Sequence, residues 1–304
     1  MAHDHSHPTA TANRTRLIAV IGIVAVVLVV EVVGSVLSGS LALLADAGHM
    51  LSDLAGLCIA LIALLVAARP ASERHTYGYR RTEVLGALVN GVILTVLAVW
   101  IAVEAIRRLV VAEEVDVLST PMLIVAIVGL AANVVSMIVL RAGARESINM
   151  RGAYLEVFGD TLGSIAVIIA ALVIMATGFV AADAIASLLI AVGILPRAFV
   201  LLRDVWRVLN ESVPSETDVA TIRTHILETA GVVEVHDVHV WSITSGDHVF
   251  TAHVAIDQAV FREGRTGEVL DRLESCLSDH FDVEHSTFQL EPVQHAGHER
   301  PQHP

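Results

Sequence analysis

The chain has 304 residues, 55% of them hydrophobic, and a formal net charge of −13 at pH 7. Soluble globular domains average about 45–50% apolar residues, so an ordinary soluble protein is excluded. The acidic balance argues against nucleic-acid binding, which rewards basic surfaces. Two separated cysteines, Cys58 and Cys276, are too few for a disulfide framework or a Cys-x-x-Cys zinc site.

The apolar residues are concentrated before about residue 210. A helix needs about 20 apolar residues to cross a bilayer, and its backbone groups must be satisfied internally. Six segments meet this length, which predicts an all-α membrane domain of six helices over residues 16–209. The predicted spans are 17–37, 41–67, 84–109, 120–140, 153–177 and 183–202.

Arginine residues predict how the spans are oriented, because cytoplasmic loops are enriched in positive charge. Arginines precede span one, fill the loops after spans two and four, and follow span six, whereas the opposite side holds only Arg107 and Arg108. Both termini are therefore predicted to be cytoplasmic. The compact chain without a targeting segment favours a multi-pass protein of the bacterial inner (plasma) membrane.

The chain after residue 210 has the pattern of a soluble domain. Residues 210–304 hold 17 Asp and Glu against 5 Arg, a balance of −12. Such a surface suits a domain that meets cations, and it equally suits one that only stays soluble. Periodicities in the order helix, strand, strand, helix, strand predict a small α+β domain over 210–292. The polar ends, 1–15 and 293–304, are predicted to be flexible.

Two spans carry ionisable side chains in matching pairs. Span two has His49 and Asp53, and span five has Glu156 and Asp160. Ionisable residues inside spans are costly and usually functional, and i, i+4 spacing puts each pair on one helix face. Packed together, the helices would offer one imidazole and three carboxylates, a set that suits a divalent cation, with zinc the leading case.

The alternative is that these polar groups only join helices by hydrogen bonds. A single residue would fit that interpretation well, whereas two copies of the spacing in two spans favour a metal site. Asp46 lies one turn before His49. It fits a supporting role beside the site and, equally, an ordinary polar position near a helix end.

Several segments, in the same order, resemble the cation diffusion facilitator family, closest to its bacterial zinc, cobalt and cadmium exporters and to animal zinc transporters. The likeness covers about residues 15–292. It implies six transmembrane helices, a cytoplasmic ferredoxin-like domain, a homodimer in the lipid bilayer, and antiport of metal against protons. The matching segments are DAGHMLSD (46–53), HTYGYRRTE (75–83), YLEVFGDTLGS (154–164), HDVHVW (236–241) and FQLE (288–291).

One position departs from the family pattern. Zinc-transporting members usually carry His-x-x-x-Asp in both spans, but Glu156 stands where the second His would be. The more oxygen-rich site could also admit manganese, iron or cobalt. Zn²⁺ is therefore the expected cargo, and other divalent cations stay open. Metal and protons compete for such ligands, and a histidine such as His49 changes charge near physiological pH.

The resemblance also implies a regulatory metal site in the cytoplasmic domain. His236 and His253 match positions that bind metal in relatives, and Glu291 falls near another. His239 and His285 are neighbours in the same patterns. The alternative is that these histidines lie on strands and bind no metal. A bound metal would act as a sensor that closes two tails together as cytoplasmic metal rises.

His75 follows span two, where some relatives hold a further metal with additional His and Asp residues. The matching places here are Ser72 and Tyr79, so that site is predicted to be missing.

Three functions compete for these patterns. A secondary transporter needs paired ligands inside the spans, which are present. A membrane metal sensor without transport would need a signalling element, and none is visible. A membrane metalloprotease would need a motif such as His-Glu-x-x-His, and an ATP-driven pump would need a phosphate loop; neither appears. The sequence therefore predicts a non-enzymatic, proton-coupled exporter of divalent cations.

Overall fold

The computed structural model describes residues 8–67, 72–111, 116–141, 148–244, 246–281 and 285–296. The chain divides into two compact units. The first comprises Met1–Leu61 and Ala87–Leu202, and the second comprises Ile62–Gly86 and Arg203–Pro304.

Long helices dominate the chain before residue 210. Within the described ranges, five segments are long and apolar enough to cross a membrane: Ile18–Ser38, Arg81–Val111, Ser119–Leu140, Ala153–Thr177 and Ala181–Leu209. The remaining long helix, α2, has 27 residues, and its side chains are described only in part. The predicted helical membrane domain is confirmed. The helices are α1 (Pro8–Ser38), α2 (Leu41–Ala67), α3 (Arg81–Val111), α4 (Ser119–Leu140), α5 (Ile148–Thr177) and α6 (Ala181–Leu209).

Several helices extend beyond the predicted spans. α1 begins at Pro8 rather than at residue 17, and α6 continues to Leu209 rather than 202. Hydropathy detects only the apolar stretch, whereas backbone hydrogen bonds continue into polar sequence. Residues 8–15 are therefore helical and not the flexible segment expected there, while residues 1–7 lie outside the described residues. Proline suits a first helical turn because it lacks the N–H that would stay unpaired.

A buried carboxylate fixes the start of α2. Asp183, in the first turn of α6, accepts hydrogen bonds from Ser40 Oγ at 2.6 Å, from Leu41 N at 2.8 Å and from Ala42 N at 3.2 Å. Amides at a helix N-terminus lack intrahelical partners, so a side-chain acceptor stabilises them. We call this group the Asp183 clasp; it joins α2 to α6 at their N-terminal ends.

The first unit is packed largely through small side chains. Alanines of α2, α4, α5 and α6 contribute much of one core cluster, and small residues let membrane helices approach closely. α4 packs against both α1 and α5. The fully buried members of this cluster include Ala42, Leu43, Met122, Ala126, Val167 and Ala171.

The second unit contains a three-stranded sheet covered by helices. The strand order is β1-β2-β3; β1 and β2 form an antiparallel hairpin, and β3 runs parallel to β2. Its apolar core includes Ile222, Phe250 and Leu273. The elements are α7 (Val219–Leu227), β1 (Val232–Thr244), β2 (Asp247–Ile256), α8 (Gln258–Arg262), α9 (Thr266–Phe281), β3 (His285–Pro292) and α10 (Val293–Ala296).

This α+β architecture confirms the predicted fold class and its order of helix, strand, strand, helix, strand. Two short helices, α8 and α10, were not predicted. α10 places residues 293–296 in a helix where a flexible end was expected, and residues 297–304 lie outside the described residues.

The segment between α2 and α3 also belongs to the second unit and contacts its hairpin. Arg80 forms an ion pair with Asp247 at the hairpin turn, and Thr244 Oγ1 donates to Glu83 Oε2 at 2.9 Å. Nearby, Arg81 Nη2 lies 3.1 Å from Glu211 Oε1. The charged residues of this loop therefore serve as anchors within the unit.

Candidate metal sites

Three of the four predicted membrane ligands converge between α2 and α5. Nε2 of His49 lies 3.1 Å from Oδ1 of Asp160 and 3.6 Å from Oδ2 of Asp53. One ligand atom from each residue can be chosen so that all lie within 4.8 Å of one another. His49 and Asp160 are buried and Asp53 is partly buried. An imidazole and two carboxylates at this separation form a group able to hold one cation.

Glycines allow the helices to approach at this level. A Cβ on Gly163 of α5 would lie 2.8 Å from Oδ1 of Asp46 on α2, and one on Gly48 would lie 2.2 Å from Leu97 Cδ2 of α3. Real Cβ atoms do not come so close. The absence of side chains at these two positions therefore lets α2 pack tightly against both neighbours.

Within the described residues, polar atoms at the site lack hydrogen-bond partners. They are Nδ1 of His49, Oδ2 of Asp53 and Oδ1 of Asp160. Buried polar atoms are normally paired, and each exception calls for an explanation such as an unseen ion. The two unpaired carboxylate oxygens, both close to Nε2 of His49, suit a site that receives a cation.

Glu156 lies beside the group but not in it. Its residue is exposed, one turn from Asp160 on α5. It lines a cavity of about 570 Å³ together with His49 and Asp53. The close group of ligand atoms does not include it. The structure thus brings three predicted ligands together and leaves the fourth at the cavity wall, where its carboxylate interacts with Asp53.

Asp46 lies on the other side of His49, in a buried polar cluster. It accepts a hydrogen bond from Ser164 Oγ at 3.4 Å, and Ser164 in turn accepts from Asn133 Nδ2 at 3.3 Å. Glu31 is fully buried, and a Cβ on Gly129 would lie 2.6 Å from its Oε1. Asp46 therefore neighbours the three-ligand group without belonging to it.

Arg197 of α6 reaches the same site and was missed by the sequence analysis. Its Nη1 lies 2.8 Å from Nε2 of His49. Its side chain lines both the 570 Å³ cavity and a second cavity of about 290 Å³ that Asp46 and Asp160 also line. The signal in the sequence was an arginine inside span six, since ionisable residues within spans are usually functional.

A second group of ligands forms on the sheet of the other unit. His236 on β1 and His253 on β2 are cross-strand partners, and their ring centroids are 5.4 Å apart. Nε2 of His236 lies 3.1 Å from Oε1 of the buried Glu291 on β3. One ligand atom from each of these residues lies within 4.8 Å of the others.

A bulge in β1 shapes this group. The pairing of β1 with β2 shifts between His236 and His239, and Asp237 there has φ +50°. Positive φ is unusual for a non-glycine residue, although Asp tolerates it better than most. Oδ1 of Asp237 lies 3.1 Å from Nε2 of His239, and Oδ2 lies 3.9 Å from Nε2 of His253. Asp237 is a further acidic neighbour that the sequence analysis did not single out.

Within the part of the chain that the structure describes, the other predicted histidines are not members of either ligand group. His239 faces Asp237. His285 is exposed, with its ring 6.1 Å from that of Tyr77. His75 is exposed and stacks on Tyr79 at 4.5 Å. The bulge and the loop geometry, rather than spacing along the chain, decide which histidines meet.

Known protein families match nearly the whole chain. Residues 17–210 match the cation efflux transmembrane domain, and residues 214–293 match the cytoplasmic domain of cation efflux proteins. The chain belongs to the cation efflux family, also called the cation diffusion facilitator family. The predicted resemblance is confirmed. Because members of this family are transporters, this cation efflux protein is not an enzyme.

Relatives of this cation efflux protein are similar over almost their full length. The metal cation efflux system protein CzcD of Cupriavidus metallidurans is 42% identical over 95% of this chain and 89% of its own. The zinc transporter ZitB of Escherichia coli is 41% identical over 96% of this chain and 93% of its own. The cadmium, cobalt and zinc/H(+)-K(+) antiporter of Bacillus velezensis is 40% identical over 97% and 93%.

Among solved structures, the metal-bound C-terminal domain of the CzcD transporter from Cupriavidus metallidurans is similar. It is 44% identical, covers 25% of this cation efflux protein and 99% of that chain, and has a TM-score of 0.23.

Proposed function

We propose that this protein exports a divalent metal cation, with Zn²⁺ as the principal cargo, across a membrane in exchange for protons. The metal binds between α2 and α5 to His49, Asp53 and Asp160, with Glu156 as the fourth candidate ligand. The observation that carries the proposal is the convergence of the first three residues, whose ligand atoms lie within 4.8 Å of one another. Family membership and the names of the relatives, which include a zinc transporter and an antiporter, support it.

The ligand chemistry supports both the cargo and the coupling. Imidazole and carboxylate groups suit zinc and related borderline cations. They bind metal only when deprotonated, so protons and metal compete for the same atoms. In the proposed cycle the site takes metal from the cytoplasm. On the opposite side a proton binds His49, and the metal leaves.

We further propose that the second group of ligands is a regulatory cytoplasmic site. Two imidazoles and one carboxylate, from His236, His253 and Glu291, fit a divalent cation of the same class. The protein acts as a homodimer in the bacterial inner membrane with both termini cytoplasmic. Metal at this site would favour closure of the two cytoplasmic domains. The arginine distribution supports the orientation.

The test is metal flux in sealed liposomes that hold the purified protein under an imposed pH gradient. The wild type should carry Zn²⁺ only when the gradient is present. Asp53→Asn and Asp160→Asn should be silent, because each loses a negatively charged ligand of nearly unchanged size. Asp204→Asn is the matched control, since Asp204 is exposed on α6 and pairs with Arg203.

Each outcome bears on a separate part of the proposal. Flux of Mn²⁺ or Co²⁺ without flux of Zn²⁺ would reject zinc as the cargo and retain the site. Gradient-independent flux would reject proton coupling. Binding without flux of any metal under any gradient would reject transport and favour a membrane metal sensor.

A further inference from the structure

The guanidinium of Arg197 contacts the ring nitrogen through which His49 would bind a metal. Its Nη1 is 2.8 Å from Nε2 of His49, and the same Nε2 is the atom that lies 3.1 Å from Asp160 and 3.6 Å from Asp53. The nitrogen that would ligate a metal shared with the two aspartates is thus already in contact with a positive group.

The chemistry of this contact fixes the role of each partner. A guanidinium carries only donors and stays charged in proteins. The contact is therefore favourable only if Nε2 of His49 is unprotonated and accepts, in which case the 3.1 Å approach of the same nitrogen to Oδ1 of Asp160 is not a hydrogen bond. A metal ion also requires the unprotonated lone pair of a histidine. Arg197 and a metal ion compete for one lone pair.

We propose that Arg197 is an internal competing cation, a positioning residue that holds the empty site and must withdraw before metal binds to His49, Asp53 and Asp160. This inference rests on the proposed transport site. It explains how a cluster of acidic groups inside a membrane keeps a counter-charge when no metal is present, since unpaired buried charges are costly. It also supplies a counter-charge for Asp53 and Asp160 as the metal leaves, and the guanidinium regains its contact with Nε2 once His49 has released its proton.

Three features of the structure decide where Arg197 lies and how it can move. It lines the cavities on both sides of His49, and its residue is exposed rather than enclosed. The preceding residue, Pro196, lies inside α6. Proline removes a backbone hydrogen bond and weakens a helix at that turn. On α5, a Cβ at Gly159 would lie 2.9 Å from Nη2 of Arg197, so the missing side chain provides the space that the guanidinium fills.

The experiment measures Zn²⁺ binding to the full-length protein by calorimetry, with His253→Ala present throughout so that the cytoplasmic group is impaired. Arg197→Gln removes the charge but keeps a donor, and Arg197→Lys keeps the charge. The glutamine variant should bind at least about fivefold tighter, the lower end of the range for coupled ligands. The lysine variant should stay within about twofold of the parent. Arg203→Gln, an exposed arginine of the same helix, is the control and should change nothing.

A residue that only holds helices together would behave differently. If Arg197 only held helices together, Arg197→Gln would leave the Zn²⁺ affinity unchanged or weaken it, and Arg197→Lys would not restore the affinity of the parent. Either result overturns the proposal. Should Arg197→Gln fail to fold, Gly159→Ala provides a second route. Its methyl group displaces the guanidinium and should also tighten binding, whereas unchanged or weaker binding overturns the proposal.

Flux measurements separate this inference from the proposed function. In liposomes, Arg197→Gln should lower both the half-saturating Zn²⁺ concentration and the maximal rate, because metal binds more tightly and leaves more slowly. Tighter binding in Arg197→Gln, with a wild type that carries no metal, would refute transport and retain the competing cation. A wild type that transports, with no gain of affinity in Arg197→Gln, would refute only the competing cation.

Discussion

Nε2 of His49 and Oδ1 of Asp160 lie 3.1 Å apart, although α2 and α5 are separated by two helices in the chain. This pair joins the two ligand-bearing helices at the site. It makes Asp160 a central member of the group, while Glu156, one turn earlier, stays at the cavity wall.

The two acidic residues of α5 should therefore contribute unequally. Asp160→Asn should reduce Zn²⁺ flux in liposomes by more than about 100-fold, beyond the loss seen when only an outer partner of a metal ligand is removed. Glu156→Gln should cost about tenfold or less. Equal loss in both variants would contradict the geometry and make Glu156 a full ligand.

The spans and the pairing of ligands on one helix could be predicted from one sequence, because both depend on residues that are close together in the chain. Apolar runs predict spans, and i, i+4 spacing places His49 with Asp53 on one face of α2. Arg197 could not be predicted as a partner of His49. Its contact depends on how α6 is rotated against α2 and α5, and periodicity does not encode that rotation between helices.

The histidines on the strands of the second unit show the same limit of sequence-based prediction. In a regular strand, side chains alternate between the two faces of the sheet, so the face of each histidine would follow from its position in the sequence. The bulge at Asp237 shifts the pairing register and breaks this alternation. The partner that completes the group, Glu291, comes from a strand far along the chain. The hairpin pairing of β1 with β2 brings His236 to His253, and the pairing of β2 with the more distant β3 adds Glu291, whereas His239 and His285 lie outside this group.

This selection among histidines can be tested by counting bound metal. His253→Ala in the full-length protein should lower Zn²⁺ binding from two sites per protomer to one, because a ligand of the second group is lost. His239→Ala and His285→Ala should leave both sites intact and serve as matched controls. Calorimetric stoichiometry is the measurement. Loss of a site in His285→Ala, with His253→Ala unaffected, would reverse the assignment.

The Asp183 clasp should be a major contribution to stability. Asp183 is 1% exposed, and its loss strands Ser40 and two α2 amides without their acceptor. Removing one partner from a buried charged network costs about 3–5 kcal/mol. Asp183→Ala should therefore lower the unfolding temperature of the detergent-solubilised protein clearly, and Asp183→Asn should lower it less. Asp116→Ala, at an exposed aspartate, is the control; equal shifts in Asp116→Ala and Asp183→Ala would refute the clasp.

Asp218 gives the second unit a helix start whose stability depends on pH. The Thr221 hydroxyl, and then the Ala220 amide, hydrogen-bond to its carboxylate and lower the pKa of Asp218. A folded pKa below the unfolded value of about 3.9 means that the carboxylate stabilises α7 above that pH. The contribution is lost as the pH falls through the folded pKa.

Hydrogen exchange across α7 measures this effect. At pH 7 the amides of Asp218→Ala should exchange faster than those of the wild type, and Asp218→Asn should lie between them. The difference between wild type and alanine variant should shrink once the pH is below the folded pKa. A difference that stays constant over the whole range would show that the charge of Asp218 is irrelevant to α7.

Because α2 is held at its N-terminal end, a tilt of the helix moves each residue by an amount that grows with its distance from that end. The fixed point is Ser40, which is held by Asp183. Asp53 lies about 20 Å from Ser40 along the helix axis, at 1.5 Å per residue. A tilt of about 10° around this fixed point would then move the Asp53 position by about 3.5 Å, and would move the His49 position by less. In a tilt that carries α2 away from α5, the two ligands of α2 would therefore separate from α5 by unequal amounts. A metal ion would lose its contact with Asp53 before it loses its contact with His49.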